Sequence, residues 1–117
     1  MKVYSLRSCD TCKKALAWLV DENVPHAVHD VRADGLSNQD VQAIMDAVGW
    51  KVAVNRRSTT WRNLDDARKA IIDAKSAIDL IVEHPTLLKR PVFVTGSSIL
   101  VGFTKENQNQ LTAFKEP

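Results

Sequence analysis

The sequence predicts an α/β fold in which a helical segment interrupts a small sheet domain. Three observations predict it: a β-α-β pattern opens the chain, an all-helical stretch occupies the middle, and a β-β-α pattern closes it. The first two strands should be parallel, because a crossover helix connects them. The helical stretch is too long for a plain connection, so we place it as an insertion over about residues 36–88 of a single domain, 1–117.

The first elements follow from apolar spacing and from helix-ending residues. A strand is predicted over residues 2–6, and a helix over Asp10–Asp21, where apolar side chains recur at helical spacing. Asn23 and Pro25 end that helix. A second strand is expected over residues 26–31, which completes a β-α-β unit.

The later elements are predicted from the same signals. Three helices are expected in the middle of the chain, over residues 37–48 with Ser37 as the cap, 64–74 and 76–84. The basic stretch 50–61 between the first two is less regular. A β-hairpin over residues 91–94 and 98–102 and a final helix over 104–114 close the chain.

Composition excludes several classes of protein. The 117 residues carry a formal net charge of +2, with 44% hydrophobic and 26% charged residues, which is typical of a globular domain. We find no apolar run long enough for a membrane span and no secretion signal. The small net charge does not favour nucleic-acid binding, and two cysteines are too few for a disulfide-rich secreted fold. We therefore expect a soluble, cytoplasmic protein.

The two cysteines need a local explanation. Cys9 lies where a strand ends and a helix begins, and the N-terminus of a helix stabilises a thiolate and lowers its pKa. Cys12 follows three residues later on the same helix face, a spacing that permits a disulfide. Cys9 would be the attacking sulfur and Cys12 the resolving one. The alternative is that Cys12 simply packs as a small apolar residue.

A zinc site is not predicted at these cysteines. The spacing from Cys12 to His26 nearly suits a two-Cys, two-His site. His26 and His29 are separated by only two residues, however, and that odd offset sends them to opposite faces of a strand. The sequence therefore predicts no metal ligands.

Arg90 is the basic residue with the most specific setting. Pro91 follows it directly and opens a strand, and a cis bond before Pro91 would fix the backbone of Arg90 beside the cysteine loop. Arg90 would then lie close to Cys9. Arginine binds oxyanions through paired hydrogen bonds, and backbone N–H groups at a helix N-terminus add to such a site. We expect an anion at Cys9 to be bound by Asp10, Thr11, Arg57 and Arg90. The alternative for the basic residues is that they lie on a solvated face.

Several motifs together resemble a known family. They are CDTCKKA (9–15), HDVR (29–32), DGL (34–36), NRRSTTWR (55–62), KRPV (89–92) and LVGF (100–103). With them the chain resembles, over nearly its whole length, the arsenate reductase-like branch of the thioredoxin superfamily. This is the ArsC/Spx/YffB group, and the chain is most similar to its YffB-type members. The resemblance implies a thioredoxin-like fold with an inserted helical subdomain.

The resemblance also implies a reaction. In the arsenate reductases a cysteine attacks arsenate, and glutathione and glutaredoxin then act. Cys9 matches that nucleophile, and Arg90 before Pro91 matches one anion-binding arginine. Arg57 is assigned as the second, with Arg56 as the adjacent alternative.

Two departures from the family pattern shape the expected function. The third arginine of true arsenate reductases falls near residues 100–103, and this chain has no arginine there. Its absence favours a glutathione-dependent thiol reductase that acts on a disulfide or an oxyanion. Cys12 gives a CxxC motif like that of the Spx regulators, whose cysteines form a redox switch and which contact RNA polymerase. The alternative function is therefore an Spx-like regulator. No basic recognition helix supports direct DNA binding.

Overall fold

Strand and helix alternate at the start of the chain, as predicted. The computed structural model describes residues 1–70 and 73–117. In it β1 is Lys2–Ser5, α1 is Asp10–Asp21 and β2 is Ala27–Asp30. β1 and β2 are parallel, with Val3 opposite Val28, which confirms the β-α-β unit.

The end of the chain completes a mixed sheet. β3 is Val92–Val94 and β4 is Ile99–Val101, and they form the predicted hairpin. β3 also pairs antiparallel with β1, so the sheet order is β2-β1-β3-β4. α7, Lys105–Leu111, continues into a 3₁₀ turn at Thr112–Phe114. This arrangement is a thioredoxin-like α/β fold.

The chain divides into two compact units. The sheet unit consists of Met1–Asp30 and Arg90–Pro117, and the helical unit is Val31–Lys89. In the sheet unit, side chains from β1, α1, the connection after α1, β3 and α7 form one buried cluster: Val3, Ala15, Leu19, Val24, Phe93 and Leu111. This core fixes α1 against the sheet, and with it the turn that leads into α1.

The helical unit holds five α-helices among its described residues. They are α2 (Asn38–Val48), α3 (Trp50–Ala53), α4 (Thr59–Arg62), α5 (Asp66–Ala70) and α6 (Ala74–Glu83), followed by a 3₁₀ turn at Pro85–Leu87. α2 packs against α6. The buried residues of the two helices include Ile44 in α2 and Ile81 in α6. Ser37 caps α2 as predicted, accepting the N–H of Asp40 at 3.1 Å.

The structure differs from the predicted helices in two places. The stretch predicted to be irregular contains α3 and α4, and the Ser58 hydroxyl caps α4 by accepting the N–H of Trp61 at 3.1 Å. The helix predicted over 64–74 is shorter, and its residues 71 and 72 lie outside the described residues. Ala74 begins α6 instead of ending the previous helix, because Asp73 caps α6 by accepting the N–H of Ser76 at 2.8 Å. None of the helices in residues 1–70 and 73–117 is long and apolar enough to span a bilayer.

Candidate active site

The turn between β1 and α1 presents Cys9. The N–H of Cys9 donates to the carbonyl of Leu6 at 2.9 Å, which closes the turn. The Cys9 carbonyl accepts the N–H of Lys13 at 3.0 Å, the first hydrogen bond of α1. Cys9 is therefore the N-cap residue of α1, and its side chain is half-buried. The structure thus places a partly accessible thiol at the positive end of a helix dipole.

A hydrogen bond from the neighbouring strand holds the same turn. The backbone N–H of Arg7 donates to Oδ2 of Asp30 at 2.9 Å. Asp30 is the last residue of β2, and its partner in the parallel register is Ser5, the last residue of β1. Asp30 is not among the predicted site residues. The signal that points to it is the parallel pairing, which brings the carboxyl ends of β1 and β2 to one edge of the sheet.

The surroundings of Cys9 favour its ionised form. Partial burial by itself would raise the pKa of Cys9. The backbone N–H and the S–H of Cys12, the positive charge of Arg90 and the N–H of Thr11 outweigh that effect and hold the pKa of Cys9 below its usual range. The first turn of α1 therefore supplies most of the groups that stabilise the Cys9 thiolate.

Cys12 has the opposite character. Its side chain is only 1% exposed. Burial raises the pKa of Cys12 to about 12, and its hydrogen bond to Cys9 and the negative charge of Cys9 act in the same direction. The pair therefore consists of a partly accessible Cys9, whose pKa is lowered, and a buried Cys12, whose pKa is raised.

Arg90 belongs to the same unit as the cysteines. The antiparallel register pairs Tyr4 of β1 with Val92, the first residue of β3, and Arg90 precedes Val92 by two residues. Its charge lowers the pKa of Cys9, and its Nε atom is shielded from solvent. The Arg90–Pro91 peptide bond is cis, the isomer expected for Pro91. The structure thus brings together Cys9, Cys12 and Arg90.

Two predicted anion-binding residues lie in the first turn of α1. Asp10 and Thr11 are its first two residues, and both side chains are exposed. The N–H of Thr11 stabilises the Cys9 thiolate. The Asp10 carboxylate interacts favourably with the helix dipole, so the backbone N–H of Asp10, not its side chain, is the part suited to an anion.

The two adjacent arginines of the helical unit differ in their contacts. The guanidinium of Arg56 lies over the ring of Trp50 at 5.1 Å and over that of Trp61 at 5.9 Å. Arg57 is exposed, and its backbone N–H donates to Oδ1 of Asn55 at 3.1 Å. Aromatic stacking thus occupies Arg56, whereas the Arg57 side chain is exposed. The anion-binding role of Arg57 remains a prediction.

The segment in which the family's third arginine would fall lies beside Pro91. The N–H of Gly102 donates to the carbonyl of Pro91 at 2.8 Å, and Gly102 has a φ of +95°, which favours glycine. The ring of Phe103 packs edge-on against Trp18 at 5.8 Å. This segment therefore carries apolar side chains and no arginine.

Known relatives cover most of the chain. A protein of uncharacterized function from Haemophilus influenzae is 45% identical over 104 residues, which are 89% of this chain and 91% of that protein. The global transcriptional regulator Spx of Streptococcus pyogenes is 32% identical over 110 residues, which are 92% of this chain and 78% of Spx. The chain is therefore similar to a regulator as well as to a protein without assigned function.

Solved structures are also similar to this chain over most of its length. A protein named YFFB has a TM-score of 0.91 and 36% identity, with 95% of this chain and 97% of that one covered. An arsenate reductase (ArsC) related protein from Brucella melitensis has a TM-score of 0.74 and 32% identity, covering 93% and 91% of the two chains. The sequence model of the ArsC family matches residues 4–111. This chain belongs to the ArsC family.

Proposed function

We propose that this chain is an oxidoreductase in which the Cys9 thiolate attacks a disulfide or an oxyanion, with glutathione as co-substrate. The observation that carries the proposal is the half-buried thiol at the N-terminus of α1, whose pKa is lowered by the first turn of the helix and by Arg90. Similarity to an arsenate reductase-related protein supports the reaction class. A thiolate that is already ionised needs no separate general base.

The reaction on a mixed disulfide with glutathione balances in two steps. The Cys9 sulfur attacks the glutathione sulfur, a new disulfide forms between Cys9 and glutathione, and the substrate leaves as a thiolate that takes a proton from water. A second glutathione thiolate then attacks the glutathione sulfur of that disulfide, releases oxidised glutathione and restores the Cys9 thiolate. The net change is reduction of the substrate sulfur and oxidation of glutathione.

Cys12 offers a second way to resolve the intermediate. At neutral pH it is protonated, so it does not compete with Cys9 for substrate. Once Cys9 is in a disulfide, the Cys9 charge that raises the pKa of Cys12 is gone, and Cys12 becomes easier to ionise. We therefore assign the first attack to Cys9, and the resolving step to glutathione or to Cys12.

Arg90 supplies the charge that an anionic substrate needs. Its guanidinium stabilises negative charge at the Cys9 sulfur, so it also attracts an anion that approaches this sulfur. Arg57 is the predicted second anion-binding residue. With no arginine in residues 100–103, the chain has fewer positive charges for arsenate than an arsenate reductase has, and a disulfide is the preferred substrate.

The test uses matched cysteine variants. Reduction of a glutathione mixed disulfide is measured with Cys9→Ser and Cys12→Ser, and arsenate reduction is measured with glutathione and glutaredoxin present. Cys9→Ser should lose the activity. Cys12→Ser should keep it if glutathione resolves the intermediate and lose most of it if Cys12 does. Full activity in Cys9→Ser would refute the proposal.

A second candidate function is a redox switch that regulates RNA polymerase. The observation that favours it is the pair of free cysteines at CxxC spacing in a chain 32% identical to Spx. Oxidation would join Cys9 to Cys12 and remove the charge at the N-terminus of α1, which would change the surface that the sheet unit presents.

Capture of purified RNA polymerase distinguishes the two functions. The chain is immobilised in reduced and in oxidised form, with Cys12→Ser as the variant that cannot form the disulfide. A regulator should capture the polymerase in one redox state, and Cys12→Ser should behave as the reduced form under both conditions. Equal capture in both states contradicts a switch, and no capture removes this candidate.

A further inference from the structure

We propose that Asp30 is a positioning residue for the Cys9 nucleophile, because its carboxylate holds the turn that presents the thiol. The proposal rests on the proposed function only in treating Cys9 as the reacting group. It adds a residue of β2 to the group formed by Cys9, Cys12 and Arg90.

The first step is the geometry of the turn. Leu6, Arg7, Ser8 and Cys9 connect β1 to α1, and the hydrogen bond from Cys9 N–H to Leu6 O closes the turn across its ends. Arg7 occupies a corner position of this turn, and its N–H donates to Oδ2 of Asp30 at 2.9 Å. Asp30 thus anchors the corner of the turn to the neighbouring strand.

The second step is the rigidity of the anchor. β1 and β2 pair through four residues each, from Lys2 with Ala27 to Ser5 with Asp30, so the backbone of Asp30 is fixed relative to the start of the turn. A backbone N–H donating to a carboxylate forms a charge-assisted hydrogen bond, which is about twice as strong as a neutral one. Holding a corner of a short turn in this way restricts the residues on both sides of it.

The third step connects the turn to the thiol. The Cys9 sulfur depends on several groups at defined positions, namely the N–H groups of Cys12 and Thr11, the S–H of Cys12 and the charge of Arg90. A displaced Cys9 backbone weakens all of these contacts together. The Asp30 charge itself is not among the main influences on the pKa of Cys9, so Asp30 acts through geometry.

The experiment compares Asp30→Ala with Asp30→Asn and reads the pKa of Cys9 from alkylation rate against pH. Asp30→Ala removes the acceptor, whereas Asp30→Asn keeps an oxygen that can accept the Arg7 N–H but removes the charge. We expect Asp30→Ala to raise the pKa of Cys9 and to lower its alkylation rate at pH 7 about tenfold. Asp30→Asn should recover most of the loss.

Two controls separate this effect from charge and from general damage. Arg7→Ala removes the side chain but keeps the N–H donor, so it should leave the pKa of Cys9 close to wild type. Asp21→Ala removes a carboxylate at the far end of α1 and should do the same. An unchanged pKa in Asp30→Ala overturns the proposal, and so does an Asp30→Asn variant as impaired as Asp30→Ala.

A measurement on the unmodified chain covers the case in which Asp30→Ala does not fold. The amide hydrogen of Arg7 should exchange with solvent more slowly than that of Ser8, the exposed neighbour in the same turn. Equal exchange of the two amides would overturn the proposal. Because alkylation and exchange need no substrate, the outcome is independent of whether the Cys9→Ser assay supports the proposed reaction.

Discussion

The S–H of Cys12 donates to the sulfur of Cys9, and the two thiols of one helical turn have pKa values shifted in opposite directions. The Cys9 thiolate gains a hydrogen bond from this arrangement, while Cys12 keeps its proton. The same pair therefore provides one thiol that ionises more readily than an ordinary cysteine and a second thiol that is protonated at neutral pH.

Alkaline pH should destabilise the chain through Cys12. Because the folded-state pKa of Cys12 is raised to about 12, its burial stabilises the fold fully below the ordinary thiol pKa. That contribution is lost as pH rises from the ordinary thiol pKa toward 12. Urea unfolding at several pH values from 7 to 11 should show the free energy of unfolding of wild type falling more steeply than that of Cys12→Ser.

The comparison isolates Cys12, because Cys9 has a lowered pKa and contributes with the opposite sign in both proteins. The serine hydroxyl does not titrate in this range and can still donate to Cys9. Parallel pH profiles for wild type and Cys12→Ser would contradict a buried Cys12 that holds its proton.

Blocking Cys9 should lower the pKa of Cys12. Iodoacetamide reacts with the Cys9 thiolate and leaves a neutral group, so the negative charge and the strong acceptor that raise the pKa of Cys12 disappear. The Cβ chemical shift of Cys12, followed against pH, should give a midpoint below that of the unmodified chain. Burial persists, so the midpoint should stay above that of an ordinary thiol.

Cys9→Ser is the control for this titration, since it also removes the charge but keeps a small hydroxyl at position 9. It should lower the pKa of Cys12 in the same direction. If neither change moves the Cys12 midpoint, the two thiols do not interact and burial alone sets the pKa of Cys12.

Arg90 and Lys89 should differ sharply although they are neighbours. Arg90 lowers the pKa of Cys9, whereas Lys89 is exposed and belongs to the helical unit. Arg90→Ala should raise the pKa of Cys9 and lower kcat/KM for an anionic disulfide about tenfold or more. Lys89→Ala should leave the pKa of Cys9 close to wild type and change kcat/KM by less than about twofold, because an exposed charge is screened by salt. Similar losses in the two variants would indicate diffuse attraction by positive charge instead of a fitted site.

Much of this fold is predictable from sequence because it depends on local signals. α1 begins and ends as its apolar spacing predicts, and Ser37 caps α2 as its residue type predicts. The sequence predicts the start of α6 at residue 76, whereas the helix begins at Ala74. A capping box formed by Asp73 and Ser76 competes with continuation of the previous helix, and helix propensity alone does not decide between the two.

The candidate site likewise contains residues that local sequence signals identify and residues that they do not. Cys9 is identified by its place between a strand and a helix, which is a local feature of the chain. The contribution of Asp30 depends on which strand pairs with β1 and in which register, and that information lies outside its own neighbourhood in the sequence. Arg56 and Arg57 have the same chemistry, so only the tryptophan contacts of Arg56 tell them apart.

Arg56 and Arg57 should therefore separate stability from activity. Arg56 stacks on Trp50 and Trp61, and each exposed cation–π contact contributes about 0.5–1 kcal/mol, so Arg56→Ala should lower the free energy of unfolding by about 1–2 kcal/mol. Tryptophan fluorescence should shift in the same variant, because both rings lose their contact with Arg56. Arg57→Ala should leave the free energy of unfolding within about 0.5 kcal/mol of wild type, because it changes an exposed side chain. Arg57→Ala should instead raise KM for an anionic disulfide. If KM is unaltered in Arg57→Ala and raised in Arg56→Ala, the anion-binding role belongs to Arg56.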